Sequence, residues 1–168
     1  MSIKTGVLIV NLGTPEATSY WPMRKYLKEF LSDPRVIDRR GLVWWLIFNG
    51  IILTKRPSKS GRAYARIWNR ELDESPLKTI TRAQTDKLSA RFTGKPNIVL
   101  DWGMRYGKPA IKESLARLKA AGCDRLLFFP LYPQYSGSTS ASAADKLNEA
   151  LTKLKWTPDT RIVDPYFE

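Results

Sequence analysis

The run Gly6-Val7-Leu8-Ile9-Val10-Asn11 is apolar without alternation, and it constrains the fold more than any other stretch. A strand with one wet face alternates apolar and polar residues. A strand covered on both faces does not, and such strands belong to parallel sheets layered between helices. Three more strands are predicted downstream, over Asn97–Trp102, Arg125–Phe129 and Arg161–Val163. Helix-spaced segments separate them. Strand–helix alternation of this kind predicts an α/β fold: a parallel sheet of about four strands with helices on both faces.

The helices are predicted from spacing and punctuation. Pro22 to Leu31 reads as a helix with proline in its first turn, stopped by Ser32-Asp33-Pro34. Residues 35–60 read as a long excursion, after which helical spacing returns at Ala63, Tyr64, Ile67 and Trp68. Leu77, Ile80, Leu88 and Phe92 mark the next helix, with Ser75-Pro76 as its N-cap and first residue. Ile111, Leu115 and Leu118 line one face of a helix ended by Gly122. Leu147, Leu151 and Leu154 line another.

At 168 residues and 43% apolar content, without repeats or low-complexity tracts, residues 1–168 are expected to form a single domain with its own core. The lone cysteine, Cys123, precedes a strand within an apolar run and reads as a buried, inert thiol. That suits a reducing, cytoplasmic setting, and the segment Met1 to Asn11 shows neither a basic leader nor a cleavage site.

The excess of basic residues is local. Residues 22–70 carry twelve Lys/Arg against three Asp/Glu, whereas residues 71–168 carry fifteen against twelve. An acidic partner is expected there, or else a solvated face. The same quarter holds the apolar run Leu42–Leu53, with paired tryptophans and Lys55-Arg56 behind it. Interrupted by Asn49-Gly50, it is too short to span a bilayer, which takes roughly 20 residues of helix. It reads either as a core helix or as an element that enters a membrane interface or covers an apolar ligand. Nucleic acid is not the expected partner, because the aromatics stand in apolar blocks instead of alternating with Lys/Arg.

Familiar chemistry is mostly excluded. No Walker loop, dinucleotide-type glycine motif or Cys/His metal cluster is present, and the chain contains no histidine. A Ser–His or Cys–His nucleophile is therefore ruled out within these residues. Three constellations fall where strands end: Asn11-Leu12-Gly13-Thr14-Pro15, Gly103-Met104-Arg105-Tyr106-Gly107, and Tyr132-Pro133-Gln134-Tyr135-Ser136. In a parallel sheet they share one edge, the edge where such folds bind ligands. Chance placement of turn residues is the competing reading.

These pieces, with Lys25–Asp33, Tyr64 and Ser75-Pro76-Leu77, stand in the order found in ferrochelatases, and the chain resembles that family over its whole length. The segment Pro130-Leu131-Tyr132-Pro133-Gln134-Tyr135-Ser136 carries most of the specificity. The resemblance implies a chelatase-like, Rossmann-like domain from an enzyme that inserts ferrous iron into protoporphyrin IX to make haem. Members are about twice this length, with two similar α/β domains around the porphyrin. The family's catalytic histidine and its partner glutamate lie in the second half. The chain is thus expected to be the amino-terminal half of such an enzyme, a fragment or truncated product that is inactive alone, with no catalytic residue and no metal ligand of its own.

The resemblance further implies porphyrin contacts at Leu12, Arg56, Tyr64, Ser75, Arg105, Tyr106, Tyr135 and Ser136, and a membrane-facing lip at residues 42–53. A porphyrin is an apolar disc with two carboxylates, so apolar walls, a cation and hydroxyl donors suit it. Some members place an iron–sulfur cysteine after the motif serine. Gly137 stands there in this chain, so no cluster held by this half and no tightly bound cofactor are expected. A surface normally covered by the second half would make the isolated half prone to self-association. The alternative is a non-catalytic peripheral membrane or docking module.

Overall fold

The computed structural model describes residues 3–39 and 41–167; Met1, Ser2, Arg40 and Glu168 lie outside the described residues. The chain divides into two compact units. One comprises Met1–Leu12, Ile80–Arg105 and Pro109–Glu168, the other Gly13–Thr79 and Tyr106–Lys108.

The first unit carries the sheet. Its strands are β1 (Thr5–Thr14), β2 (Ile98–Gly107), β3 (Arg125–Pro130) and β4 (Asp159–Ile162), in the order β2-β1-β3-β4. All run parallel, β1 pairing β3 from Thr5–Arg125 to Val10–Pro130, and β3 pairing β4 from Arg125–Asp159 to Phe128–Ile162. The last residues of β1 and β2 belong to the second unit. Side chains alternate across the sheet. Leu8, Val10, Leu126 and Phe128 are buried with Ile111, Leu115 and Leu118 of a helix at Ile111–Ala120 and with Leu147 and Ala150 of one at Ser142–Leu154. The opposite face of β1 holds Val7, Ile9 and Asn11, and the Asn11 amide donates to Thr81 Oγ1 at 3.1 Å on the helix Pro76–Arg91. Helices therefore cover both faces, as the unbroken apolar run of β1 demands.

The second unit is helical. In chain order the helices are α1 (Tyr20–Leu31), α2 (Leu42–Ile47), α3 (Leu53–Ala65), α4 (Pro76–Arg91), α5 (Ile111–Ala120) and α6 (Ser142–Leu154), of which α1 to α3 and the start of α4 lie here. A π-helical turn, Phe48–Ile52, joins α2 to α3, so residues 42–65 form one run of helical turns where the sequence predicts an excursion up to residue 60. Proline ordinarily leaves the carbonyl four residues earlier without its helical donor. Here the Leu53 carbonyl, four before Pro57, accepts from the Tyr20 hydroxyl at 3.2 Å. That bond lets α3 pass through a proline, and α3 stays close to the chain before α1. A Cβ on Gly61 would stand 2.2 Å from the Thr18 carbonyl oxygen.

Other boundaries also shift. Ile67 and Trp68 lie beyond the end of α3 instead of continuing it. The Gly103–Gly107 segment lies within β2, not after it. On α4 the buried residues are Thr81 and Thr85, while Ile80 of the predicted apolar stripe is exposed.

Candidate functional site

Parallel strands put their carboxyl ends on one edge, and strand order reverses at β1, with β2 on one side and β3 on the other. Ligands in open α/β sheets bind outside that point. In the first unit it is furnished by Leu12, Arg105 and the segment after β3. That segment leaves the sheet through a 2.7 Å bond from Leu131 N–H to the Val10 carbonyl. Leu131–Ser136 with Thr139, Tyr166 and Phe167 line an open cleft of about 730 Å³. Its wall is held from behind. Tyr166 donates its N–H to the Pro133 carbonyl at 2.9 Å and its hydroxyl to the Pro130 carbonyl at 3.3 Å, and packs edge-on against Phe129. Burial pushes the Tyr166 phenol above its ordinary pKa, so it remains a hydroxyl donor.

Tyr135 is exposed at the mouth of this cleft. Ser136 is half-buried, its Oγ 3.1 Å from that of Ser138. A second π-helical turn, Gly137–Ala141, leads into α6. Arg105 is half-buried and meets the start of that helix, its Nε donating to the Ser142 carbonyl at 3.0 Å and to Ser142 Oγ at 2.6 Å. Leu12 is half-buried, its N–H held by the Asn11 side-chain oxygen at 2.8 Å.

The second unit holds the other four predicted residues. Arg56 is on the exposed surface of α3. Tyr64, half-buried in the last turn of α3, meets Tyr26 edge-on with centroids 6.4 Å apart. Tyr26 stacks on Phe30 at 6.2 Å, and Phe30 meets Tyr106 edge-on at 5.1 Å. An aromatic chain thus joins Tyr64 to Tyr106. Burial, and then the neighbouring Tyr64, raises the Tyr26 phenol far above its ordinary pKa; it stays protonated and lies 3.4 Å from the Gly13 carbonyl it donates to.

Tyr106 itself is fully buried, donating to Asp33 Oδ2 at 2.7 Å. Ser75 is also buried, and its Oγ accepts the Lys78 N–H at 3.3 Å as the N-cap of α4. Sequence reasoning missed Tyr26, Phe30 and Ser142. The first two were readable as an i, i+4 aromatic pair on α1, whereas nothing local marks Ser142.

The apolar segment Leu42–Ile47 is largely exposed. No residue of α2 is buried, and Leu42, Val43 and Trp45 are 74%, 72% and 58% exposed. That excludes the core-helix reading for α2; Phe48 and Leu53 are the buried residues of the following turns. A groove of about 360 Å³ runs beside it, lined by Lys28, Arg39, Trp44, Trp45 and Phe48 among others. The Arg39 guanidinium lies 5.9 Å from the Trp44 ring centroid, and Trp44 stacks on Phe48 at 6.0 Å. Beyond the lip, Lys55, Lys59, Arg62 and Arg66 follow at intervals of four, three and four, all exposed, and no Asp or Glu occurs between Asp38 and Glu71.

Among the described residues no group of three or more His, Cys, Asp or Glu could hold a metal ion, and no helix is long and apolar enough to cross a membrane. Cys123 is buried, and burial raises its thiol pKa, which keeps it protonated and unreactive.

Comparison with known proteins gives one answer. The family profile described as Ferrochelatase matches residues 4–168. The ferrochelatase of Methylocella silvestris is 53% identical over 99% of this chain and 49% of its own length. Those of Agrobacterium fabrum and Brucella anthropi are 54% and 56% identical over 98% and 97% of this chain, which spans 48% and 47% of them. The chain therefore spans about half the length of the curated relatives it matches, and it belongs to the ferrochelatase family.

Proposed function

We propose that this chain is the amino-terminal half of an enzyme that inserts ferrous iron into protoporphyrin IX, and that it supplies one wall of the porphyrin cleft. The observation that carries the reading is the aromatic cleft of about 730 Å³ at the end of β3, formed by the family's own Tyr-Pro-Gln-Tyr-Ser segment at the reversal of strand order. Its volume falls within the range of small-molecule sites, ~300–1,000 Å³. In the first unit Leu12, Tyr135 and Ser136 would meet the macrocycle and Arg105 a carboxylate or the rim; in the second unit Arg56 and Tyr64 carry the polar groups that the family resemblance implies. Ser75 and Tyr106 are buried with their hydroxyls already in hydrogen bonds, so they support the site from behind instead of lining it.

Insertion must strip two pyrrole protons and admit the metal to a bent ring. A wall complementary to the bent ring favours the reaction over the flat substrate. The family resemblance puts the catalytic histidine and its glutamate in the second half, and this chain has no histidine. The proton acceptor is therefore assigned to the other half, and residues 1–168 alone are expected to be inactive. With Gly137 after Ser136 and a single buried cysteine, this half holds no iron–sulfur cluster.

A second reading, compatible with the first, is contact with an anionic membrane surface through residues 42–53, on a cytoplasmic protein. The exposed apolar side chains of α2 and the basic row Lys55, Lys59, Arg62 and Arg66 on α3 and its C-cap support it. The same exposed apolar surface would lead the isolated chain to self-associate.

The deciding experiment titrates protoporphyrin into residues 1–168 and follows the Soret band, with Arg56→Ala alongside. Saturable binding weakened about tenfold by the substitution is expected, the scale of one charge-assisted bond. No saturable binding would overturn the claim that this half forms a wall by itself.

A further inference from the structure

We infer that the groove between the end of α1 and the aromatic face of α2 holds the phosphate of an anionic phospholipid, clamped between Lys28 and Arg39. The inference rests on the second reading above, contact with an anionic membrane surface, and gives that contact a defined headgroup site. It starts from the two faces of α2. Residues four apart share a helix face, so Leu42 with Leu46 and Val43 with Ile47 make an aliphatic face, all four exposed. Trp44 and Phe48 make the other, stacked at 6.0 Å, and with Trp45 they wall the groove of about 360 Å³. Aliphatic side chains belong among acyl chains, whereas tryptophan belongs at headgroup level. A helix is roughly 10 Å across and an interfacial one sinks ~5–10 Å, so the groove on its far side stands level with the phosphates.

The charges of the groove suit an oxyanion. Lys28 stands in the last turn of α1, and the Arg39 guanidinium lies 5.9 Å from the Trp44 centroid. A guanidinium over a ring keeps the N–H groups at its edge for an anion. Among the described residues neither Lys28 nor Arg39 has a carboxylate partner, and no residue lining the groove is acidic. The nearby carboxylates serve other donors. Glu29 accepts the Gly107 N–H at 3.1 Å, and Asp33 accepts the Tyr106 hydroxyl and the Arg35 N–H. Asp38 precedes Arg39 but does not line the groove. Leu31, Ile37 and the tryptophans supply apolar contact for the glycerol and first acyl carbons. The basic row on α3 attracts any anionic surface, whereas two cations on one groove select a headgroup.

The test uses the full-length protein that contains this chain, titrated with dihexanoyl phosphatidylglycerol below its micelle concentration and followed by tryptophan fluorescence. Saturable binding is expected, weakened about tenfold by Lys28→Gln and by Arg39→Gln, the scale of one charge-assisted bond. Both side chains are exposed, so the variants should fold, and Lys28→Arg should stay within about twofold. The pair Lys55→Gln and Lys59→Gln should also stay within about twofold, because neither lines the groove and a single lipid offers no surface field. Dihexanoyl phosphatidylcholine, with no net charge, and glycerol phosphate, with no chains, should each bind at least about tenfold more weakly. Equal binding of glycerol phosphate would make this a site for a free phosphate ester and overturn the lipid assignment. Vesicle cosedimentation without saturable binding of the single lipid, or equal losses from both pairs of substitutions, would mean diffuse attraction: membrane contact would stand and the headgroup site would fall. Binding of neither vesicles nor single lipid would overturn both.

Discussion

The sheet of the first unit and the α2–α3 run of the second are built from the same residue types and treat them in opposite ways. Leu8, Leu126, Phe128 and Leu147 are fully or almost fully buried, whereas Leu42, Val43, Trp45 and Leu46 are more than half exposed. Apolar content alone therefore says little about stability. Each side chain of the first set contributes roughly 1.5–3 kcal/mol by leaving water, and each of the second contributes little until something covers it. One region holds the fold. The other leaves its apolar side chains exposed in this chain.

The largest effect that could break this contrast comes from paired truncations. Phe128→Ala should cost about 3–5 kcal/mol in urea unfolding, because it opens a cavity among Leu8, Leu115 and Leu147. Trp45→Ser should shift stability by no more than ~0.5 kcal/mol, as exposed substitutions do. The same Trp45→Ser should weaken cosedimentation with vesicles rich in anionic lipid, by a factor that salt leaves unchanged while added salt weakens binding of both proteins. A stability loss of about 2 kcal/mol for Trp45→Ser would erase the distinction between the two regions, since that is a buried-residue cost.

A smaller effect sharpens the contrast within the second unit, which is not all lip. Tyr106→Phe keeps the ring against Phe30 and removes the 2.7 Å bond to Asp33, whose other oxygen accepts the Arg35 N–H at 2.8 Å. A charge-assisted bond in a buried place predicts a loss of ~1.5–3 kcal/mol. Equal stability of the variant would show that Asp33 serves the turn after α1 and owes nothing to Tyr106. The neighbouring Gly13 has φ of 110°, and a Cβ there would lie 1.8 Å from the Tyr106 carbonyl oxygen, so this part of the unit tolerates no side chain at all.

Legibility followed the same division. The strand Arg125–Phe129 and the α5 face at Ile111, Leu115 and Leu118 were readable because burial on a regular element leaves a period. The helical run at 42–65 was not, because Asn49-Gly50 and Pro57 are ordinary breakers. What overrides them is a π-helical turn and the distant hydroxyl of Tyr20. The α4 face was misread for a related reason, since Thr81 is buried by a hydrogen bond from Asn11 and Thr85 bonds back to the Thr81 carbonyl at 2.9 Å. For the site, motifs named residues but not their exposure. Tyr106 and Ser75 carry the right groups and turn them inward, while Ser142 had no signature because its partner is 37 residues away.

The smallest expected effect lies on the exposed face of α6. Glu149 is hydrogen-bonded first by Lys153 and then by Lys146, and its carboxyl pKa is lowered from 4.5 to about 2. A depressed folded-state value means stabilisation that is full above the unfolded pKa and is lost as pH falls from about 4.5 towards about 2. Glu149→Gln should therefore change nothing in the shape of the stability curve above pH 5 and flatten its acid limb. The group is largely exposed, so the amplitude should be at most ~0.5 kcal/mol and should shrink in salt. A much larger or salt-insensitive change would mean that the Lys146–Glu149–Lys153 cluster is shielded from solvent, and that the line between buried and exposed surface must be redrawn to include it.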